Sequence, residues 1–229
     1  MQSRKYFTDE LYRLRHNILE MATKVEENLG KALAALRTRN PELAEKVRED
    51  DAVIDALQIQ IEDEAAILIA TQQPVARDLR EMVSIFKLTG NIERIGDHAA
   101  HLARAAKKLA KKSESLKEGM LTANLPAQEH LEKMAETGRK MLRAAITAYM
   151  EQDAQSARGA AAMDAVIDAE HDELTKNILK QMKKKPDFVK IAFEMLHTSG
   201  QLERLGDHIK NICEAVIYMV EGKREELNE

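Results

Sequence analysis

Eight carboxylates in this 229-residue chain are spaced as metal ligands on helices would be. Asp51 and Asp55 bound the word D-A-V-I-D, which returns at Asp164 and Asp168. Glu93 and Asp97 sit four apart in E-R-I-G-D-H, and Glu203 and Asp207 sit four apart in E-R-L-G-D-H. Four residues is about one helical turn, so each pair shares a face and both members can reach one ligand. Like charges at that spacing cost a helix a few tenths of a kcal/mol, a penalty that a cation would reverse. Carboxylate oxygens suit Mg²⁺, Ca²⁺, Mn²⁺ or iron at about 2.0–2.6 Å. One such pair alone is an ordinary solvated helix face. Recurrence of both pairs, in the same order, is what singles these out.

The carboxylates must be carried by a duplicated scaffold. The D-A-V-I-D words and the E-R-x-G-D-H words recur at nearly the same offset, so two units of one plan follow each other with almost no insertion. Each would be roughly 110 residues, a usual size for a buried core. With 44% hydrophobic, 32% charged and only 3% aromatic residues, and 9 Gly and 4 Pro, the chain suits long helices rather than sheets. The prolines Pro41, Pro74, Pro126 and Pro186 stand where helices can begin, because a first-turn proline loses no hydrogen bond. Asn40 and Asp153, separated by the same offset as the D-A-V-I-D words, read as caps, as does Thr8 before an acidic first turn; Gly222 can end the last helix.

This punctuation predicts an all-α fold of six long helices, near 8–38, 41–71, 75–112, 126–151, 154–183 and 187–221, arranged as two tandem three-helix bundles. The domains are 1–112 and 126–229, with 113–125, a polar and weakly periodic stretch, as linker. The third helix carries a seam at Ile85, Leu88, Ile92, Ile95, Ala99, Leu102, Ala106 and Leu109, and the sixth repeats it. Glu93 and Asp97 lie beside that seam, away from the core; Asp51 and Asp55 lie beside another, formed by Val47, Ile54, Leu57 and Ile61. The four acids of each half should therefore converge on adjacent helices. Neighbouring residues point about 100° apart on a helix, which gives His98 and His208 a surface or outer-sphere role. Gly96 and Gly206 each cost about 1 kcal/mol inside a helix and mark a close approach, most simply of another helix. The 11 methionines are read chiefly as core packing.

Other functions are disfavoured. The longest apolar runs, such as Ala65–Ala70, have six residues, against about 20 for a membrane-spanning helix, and the first residues lack a secretory apolar region. Direct membrane insertion and export are therefore not expected. Cys213 is the sole cysteine, which excludes an intrachain disulfide and suits the cytoplasm. A net charge of −4 with interspersed signs gives no field for nucleic acid.

At these residues the sequence resembles the PhoU family, regulators of bacterial phosphate uptake. The resemblance spans nearly the whole chain. It includes Gln73-Pro74-Val75-Ala76-Arg77-Asp78-Leu79-Arg80, both Glu-Arg-Ile/Leu-Gly-Asp words, and Asn211-Ile212-Cys213-Glu214 running on to Gly222. It implies two three-helix repeats and metal clusters of iron, manganese, magnesium or zinc on Asp51, Asp55, Glu93 and Asp97 and on Asp164, Asp168, Glu203 and Asp207. It also implies a non-enzymatic, homodimeric cytoplasmic protein that restrains the phosphate ABC transporter and the phosphate-starvation response. The implied contacts are with the transporter's ATPase and a sensor histidine kinase. Gly200 departs from the family, where a basic residue is common before the second motif.

Two rivals differ at the site. A carboxylate-bridged di-iron oxidase requires Glu-x-x-His on two helices, projecting into the bundle core. Glu194 and His197 supply one such spacing, but the equivalent positions of the first half are Ser84 and Lys87. A metal-free helical adaptor would have the same fold and leave the acidic faces solvated.

Overall fold

The computed structural model describes residues 2–114, 125–184 and 188–228, which are predominantly helical with no strand among them. The first bundle holds α1 (Gln2–Thr38), α2 (Pro41–Gln72) and α3 (Ala76–Glu114). The second holds α4 (Leu125–Glu151), α5 (Ala154–Ala161), α6 (Asp164–Lys184) and α7 (Val189–Glu221). Most of the 113–125 linker, and Pro186, lie outside the described residues.

The duplication is visible in the backbone. Arg39 and Gln152 both turn through φ 55. The residue after each caps the next helix: Asn40 Oδ1 accepts from the Glu42 and Leu43 amides at 2.8 and 3.2 Å, and Asp153 Oδ1 from those of Gln155 and Ser156 at 2.9 and 3.2 Å. Such caps satisfy amides that a helix start leaves unpaired. Gly222 ends α7 at φ 72, its amide donating to the Tyr218 carbonyl.

Two expectations need correction. The first helix begins at Gln2, and Thr8 does not cap it; its hydroxyl donates to the Arg4 carbonyl within the helix. Burial of Phe7 and the 2.6 Å ion pair from Arg4 to Asp78 secure the extra turns. The predicted fifth helix is interrupted at Ala162 and Met163, where amides reach back to Arg158 and Ala160 in a tight turn. Asp164 thereby becomes the first residue of α6, where the helix dipole favours a carboxylate, whereas Asp51 lies inside α2.

The seam residues form the core. Ile54, Ile61, Ile85, Leu88, Ile92 and Ile95 are buried in the first half, and Ile167, Leu174, Leu202, Leu205 and Ile209 in the second. Burying a side chain of this size stabilises by about 1.5–3 kcal/mol. Met21, Met82, Met134, Met141, Met195 and Met219 are buried too, in agreement with a packing role. The halves join chiefly through α3 and α7, which pack antiparallel. Ser84 donates to the Ala215 carbonyl, Asn91 meets His208, His98 meets Gln201, and Lys108 meets Glu194. Across the other seam between halves, Glu26 of α1 pairs with Arg139 and Arg143 of α4.

Candidate metal centre

The repeated words meet through their glycines. A Cβ built on Gly96 would stand 3.4 Å from Asp51 Oδ1 and 3.5 Å from Ile54, so the glycine lets the first aspartate of D-A-V-I-D lie against α3. At Gly206 the approach is closer: the same atom would stand 2.0 Å from Asp164 Oδ1 and 3.3 Å from Ile167. The close approach expected at both glycines is thus made by an aspartate and an isoleucine of the neighbouring helix.

The carboxylates sense one another. Burial, with the charges of Asp55 and Asp97, pushes the Asp51 carboxyl up to about 6. Glu93 is raised by burial, then by Asp97, with Asp55 and Asp51 adding to it and Arg94 opposing. In the second half burial raises Asp164 and Glu203, with Asp168 and Asp207 reinforcing both. The structure therefore brings each predicted set of four to one place, at a cost in charge repulsion. Their oxygen-only chemistry fits a hard cation. The carboxylates are not drawn into a coordination sphere: among the described residues, no group of three His, Cys, Asp or Glu is arranged to hold an ion. Loading a metal would require the side chains to close on it.

The halves differ in one respect that the motifs do not reveal. Lys210 Nζ lies 2.6 Å from Asp164 Oδ2 and 3.2 Å from Asp207 Oδ1. Burial disfavours its charge, but the bonds to Asp164 and Asp207 outweigh that and raise its pKa. The equivalent position of the first half is Ala100, which is buried, so among the described residues no lysine bridges that set of acids, and Asp51 feels only the charge of Arg104 without an ion pair. The asymmetry is written in the sequence three residues past E-R-L-G-D and its counterpart, just beyond the repeated words. Even with Lys210 present, Asp164 is 3% exposed and its Oδ1 has no hydrogen-bond partner. Asp168, His171, Glu203, Asp207 and Lys210 line an open cleft of about 500 Å³. In the first half Arg94 pairs with the motif, 3.2 Å from Asp97 and 3.8 Å from Glu93, and it is well exposed.

The histidines are placed differently from expectation. His98 is 7% exposed, and its ring faces that of His208 at 5.4 Å across the α3–α7 junction. His98 Nδ1 bonds Gln201 Oε1, and His208 Nδ1 bonds Asn91 Oδ1, each at 3.0 Å. These reciprocal bonds join equivalent residues of the two repeats. Burial first, then the charge of His208, pushes His98 down to about 4, so it is neutral near pH 7. The alternative di-iron pairing lacks its second half in space as in sequence: Ser84 is buried against Ala215 and Lys87 is exposed.

Residues 18–106 and 131–216 each match the family model of the PhoU domain. A Streptococcus pneumoniae protein named phosphate-specific transport system accessory protein PhoU homolog is 34% identical over 225 residues, covering 98% of this chain and 100% of its own. A Pseudomonas putida protein of the same name is 33% identical over 216 residues, covering 94% and 81%. The crystal structure of PhoU from Pseudomonas aeruginosa superposes with a TM-score of 0.86 at 32% identity, covering 95% of this chain and all of that one. That of the phosphate transport system regulatory protein PhoU from Streptococcus pneumoniae gives 0.83 at 33% identity, covering 96% and 99%.

Proposed function

The chain belongs to the PhoU family, and from that premise we propose that it restrains phosphate uptake and the phosphate-starvation response when phosphate is plentiful. It acts by contact with the ATPase of a phosphate ABC transporter and with the cytoplasmic part of a sensor histidine kinase, as a homodimer in the cytoplasm. The observation that carries this reading is the match of both repeats to the family, over nearly the full length of relatives named as accessory to phosphate transport. No helix among the described residues is long and apolar enough to cross a membrane, which suits an accessory subunit rather than a permease. Deleting the gene should derepress starvation genes and raise phosphate uptake in rich medium, and a plasmid copy should restore both. Unchanged expression and uptake, in cells that normally make the protein, would refute the role.

Within that role the acidic faces hold metal ions, with Asp51, Asp55, Glu93 and Asp97 as ligands in the first half. Asp164, Asp168, Glu203 and Asp207 are the ligands in the second, where an ion must displace Lys210 from Asp164 and Asp207. The first half accordingly binds the more tightly. Support comes from the raised carboxyl groups, which a cation would relieve.

A further inference from the structure

A second heptad seam runs along α3, facing solvent instead of the core. Its residues are Leu79, Val83, Phe86, Gly90, Glu93 and Asp97, at alternating steps of four and three. The same seam runs along α7 at the equivalent positions of the second repeat: Val189, Phe193, Leu196, Gly200, Glu203 and Asp207. Each reads apolar, apolar, apolar, glycine, acid, acid.

Both seams are open at their apolar ends and partly covered toward their acids. Leu79 and Val83 are 40% and 41% exposed, Val189 and Phe193 43% and 67%. Phe86 and Leu196 are only partly covered, resting on the core. Isolated apolar residues on a surface need no explanation, but two matching triplets on equivalent helices do. The glycines sharpen the point. A Cβ on Gly200 would meet nothing within 4 Å, and one on Gly90 would meet only the tip of Gln58, at 3.9 Å. No packing among the described residues explains a glycine that costs about 1 kcal/mol in a helix interior. A backbone approaching from outside does.

We propose that each seam docks a helix of a partner protein, amphipathic along its length and basic at one end. Alternating steps of four and three are the spacing with which one helix receives another. From Leu79 to Asp97 the seam rises about 27 Å, room for about 18 residues of a partner helix. Its apolar residues cover the triplet, its backbone draws nearest at the glycine, and its lysines or arginines meet the two carboxylates. Charge complementarity fixes the direction, because a basic end laid on the triplet would leave Glu93 and Asp97 facing apolar groups. Pseudo-symmetry supplies two such seams, so one molecule engages two helices. The inference rests on exposed residues and open glycines and concerns the metal-free protein, because a metal ion and the basic end of the partner compete for the same acids.

The probe is a synthetic helical peptide of about 20 residues, long enough to span the seam, with leucines on one face of its first half and lysines on that face of its second. Binding to the full-length protein is followed by fluorescence anisotropy in chelator, so that no metal holds the acids and the partner's cations compete only with Arg94 and Lys210. The peptide should bind at two equivalents per chain. The double variant Val83→Asp with Phe193→Asp should weaken binding at least tenfold, and Gly200→Leu should remove one equivalent, with helical content unchanged in both. A version with glutamate for lysine should fail to bind. Equal affinity of the two peptides, or of wild type and the double variant, would overturn the proposal. So would a homodimer that Phe193→Asp dissociates and the peptide does not, since a second copy would then own the seam.

Discussion

Replacing Gly206 by alanine should damage the fold, while the same change at Gly96 should be nearly neutral, although the two glycines occupy the same place in duplicated words. Alanine gains about 1 kcal/mol of helix propensity at either site. At Gly96 its methyl would lie 3.4 Å from Asp51 Oδ1 and 3.5 Å from Ile54, close to ordinary contact, so a small shift keeps most of that gain. At Gly206 it would lie 2.0 Å from Asp164 Oδ1 and 3.1 Å from its Cγ, which forces the carboxylate away. Asp164 has little room to move: it is 3% exposed and held by Lys210. Breaking a buried pair costs about 3–5 kcal/mol. Set against the helix gain, a net loss of about 2–4 kcal/mol is expected for Gly206→Ala and a change within about 1 kcal/mol for Gly96→Ala. Urea unfolding followed by circular dichroism measures both, and a double-mutant cycle with Asp164→Ala should show strong coupling to position 206. Equal effects at the two glycines, or simple additivity with Asp164→Ala, would refute the reasoning.

Lys210→Ala should convert the second acidic face into one resembling the first, raising its affinity for Mn²⁺ about tenfold or more in calorimetry, because the ion no longer competes with an ammonium for Asp164 and Asp207. His98 should make the protein acid-sensitive: its folded pKa of about 4 lies below the 6.5 of the free side chain. The unfolded chain therefore binds the extra proton, so stability from this group is present above pH 6.5 and lost as pH falls toward 4. His98→Gln should flatten the midpoint of urea unfolding across that window, and an unchanged pH profile would dismiss the assignment.

Much of this was legible because helices announce themselves locally. Asn40 and Asp153 named two starts correctly, and the seam at Ile85, Leu88, Ile92 and Ile95 placed the core. The convergence of the carboxylates also followed from sequence, since a four-residue spacing beside a core seam leaves few directions for Glu93 and Asp97. What escaped depends on tertiary contact. The start at Gln2 is secured by Phe7 and by the reach of Arg4 to Asp78, far along the chain. The break before Asp164 has only Gly159 nearby as a signal. His98 points outward only if α2 is the sole neighbour of α3 on that side; the antiparallel α7 covers the opposite flank and buries it. Lys210 falls outside the repeated words, yet it is the residue that makes the two halves chemically unequal.

The most direct test of the cation sites is a calorimetric titration of metal-stripped full-length protein with Mn²⁺, on wild type, Asp97→Asn and Asp207→Asn. Wild type should show a tighter site and a weaker one. Asp97→Asn should abolish the tighter, since Asp97 belongs to the half without a resident lysine, while Asp207→Asn should affect only the weaker. All three should keep their helical content, because both aspartates lie off the core. Identical weak binding by the three proteins would contradict the account and leave the eight carboxylates as solvated helix faces.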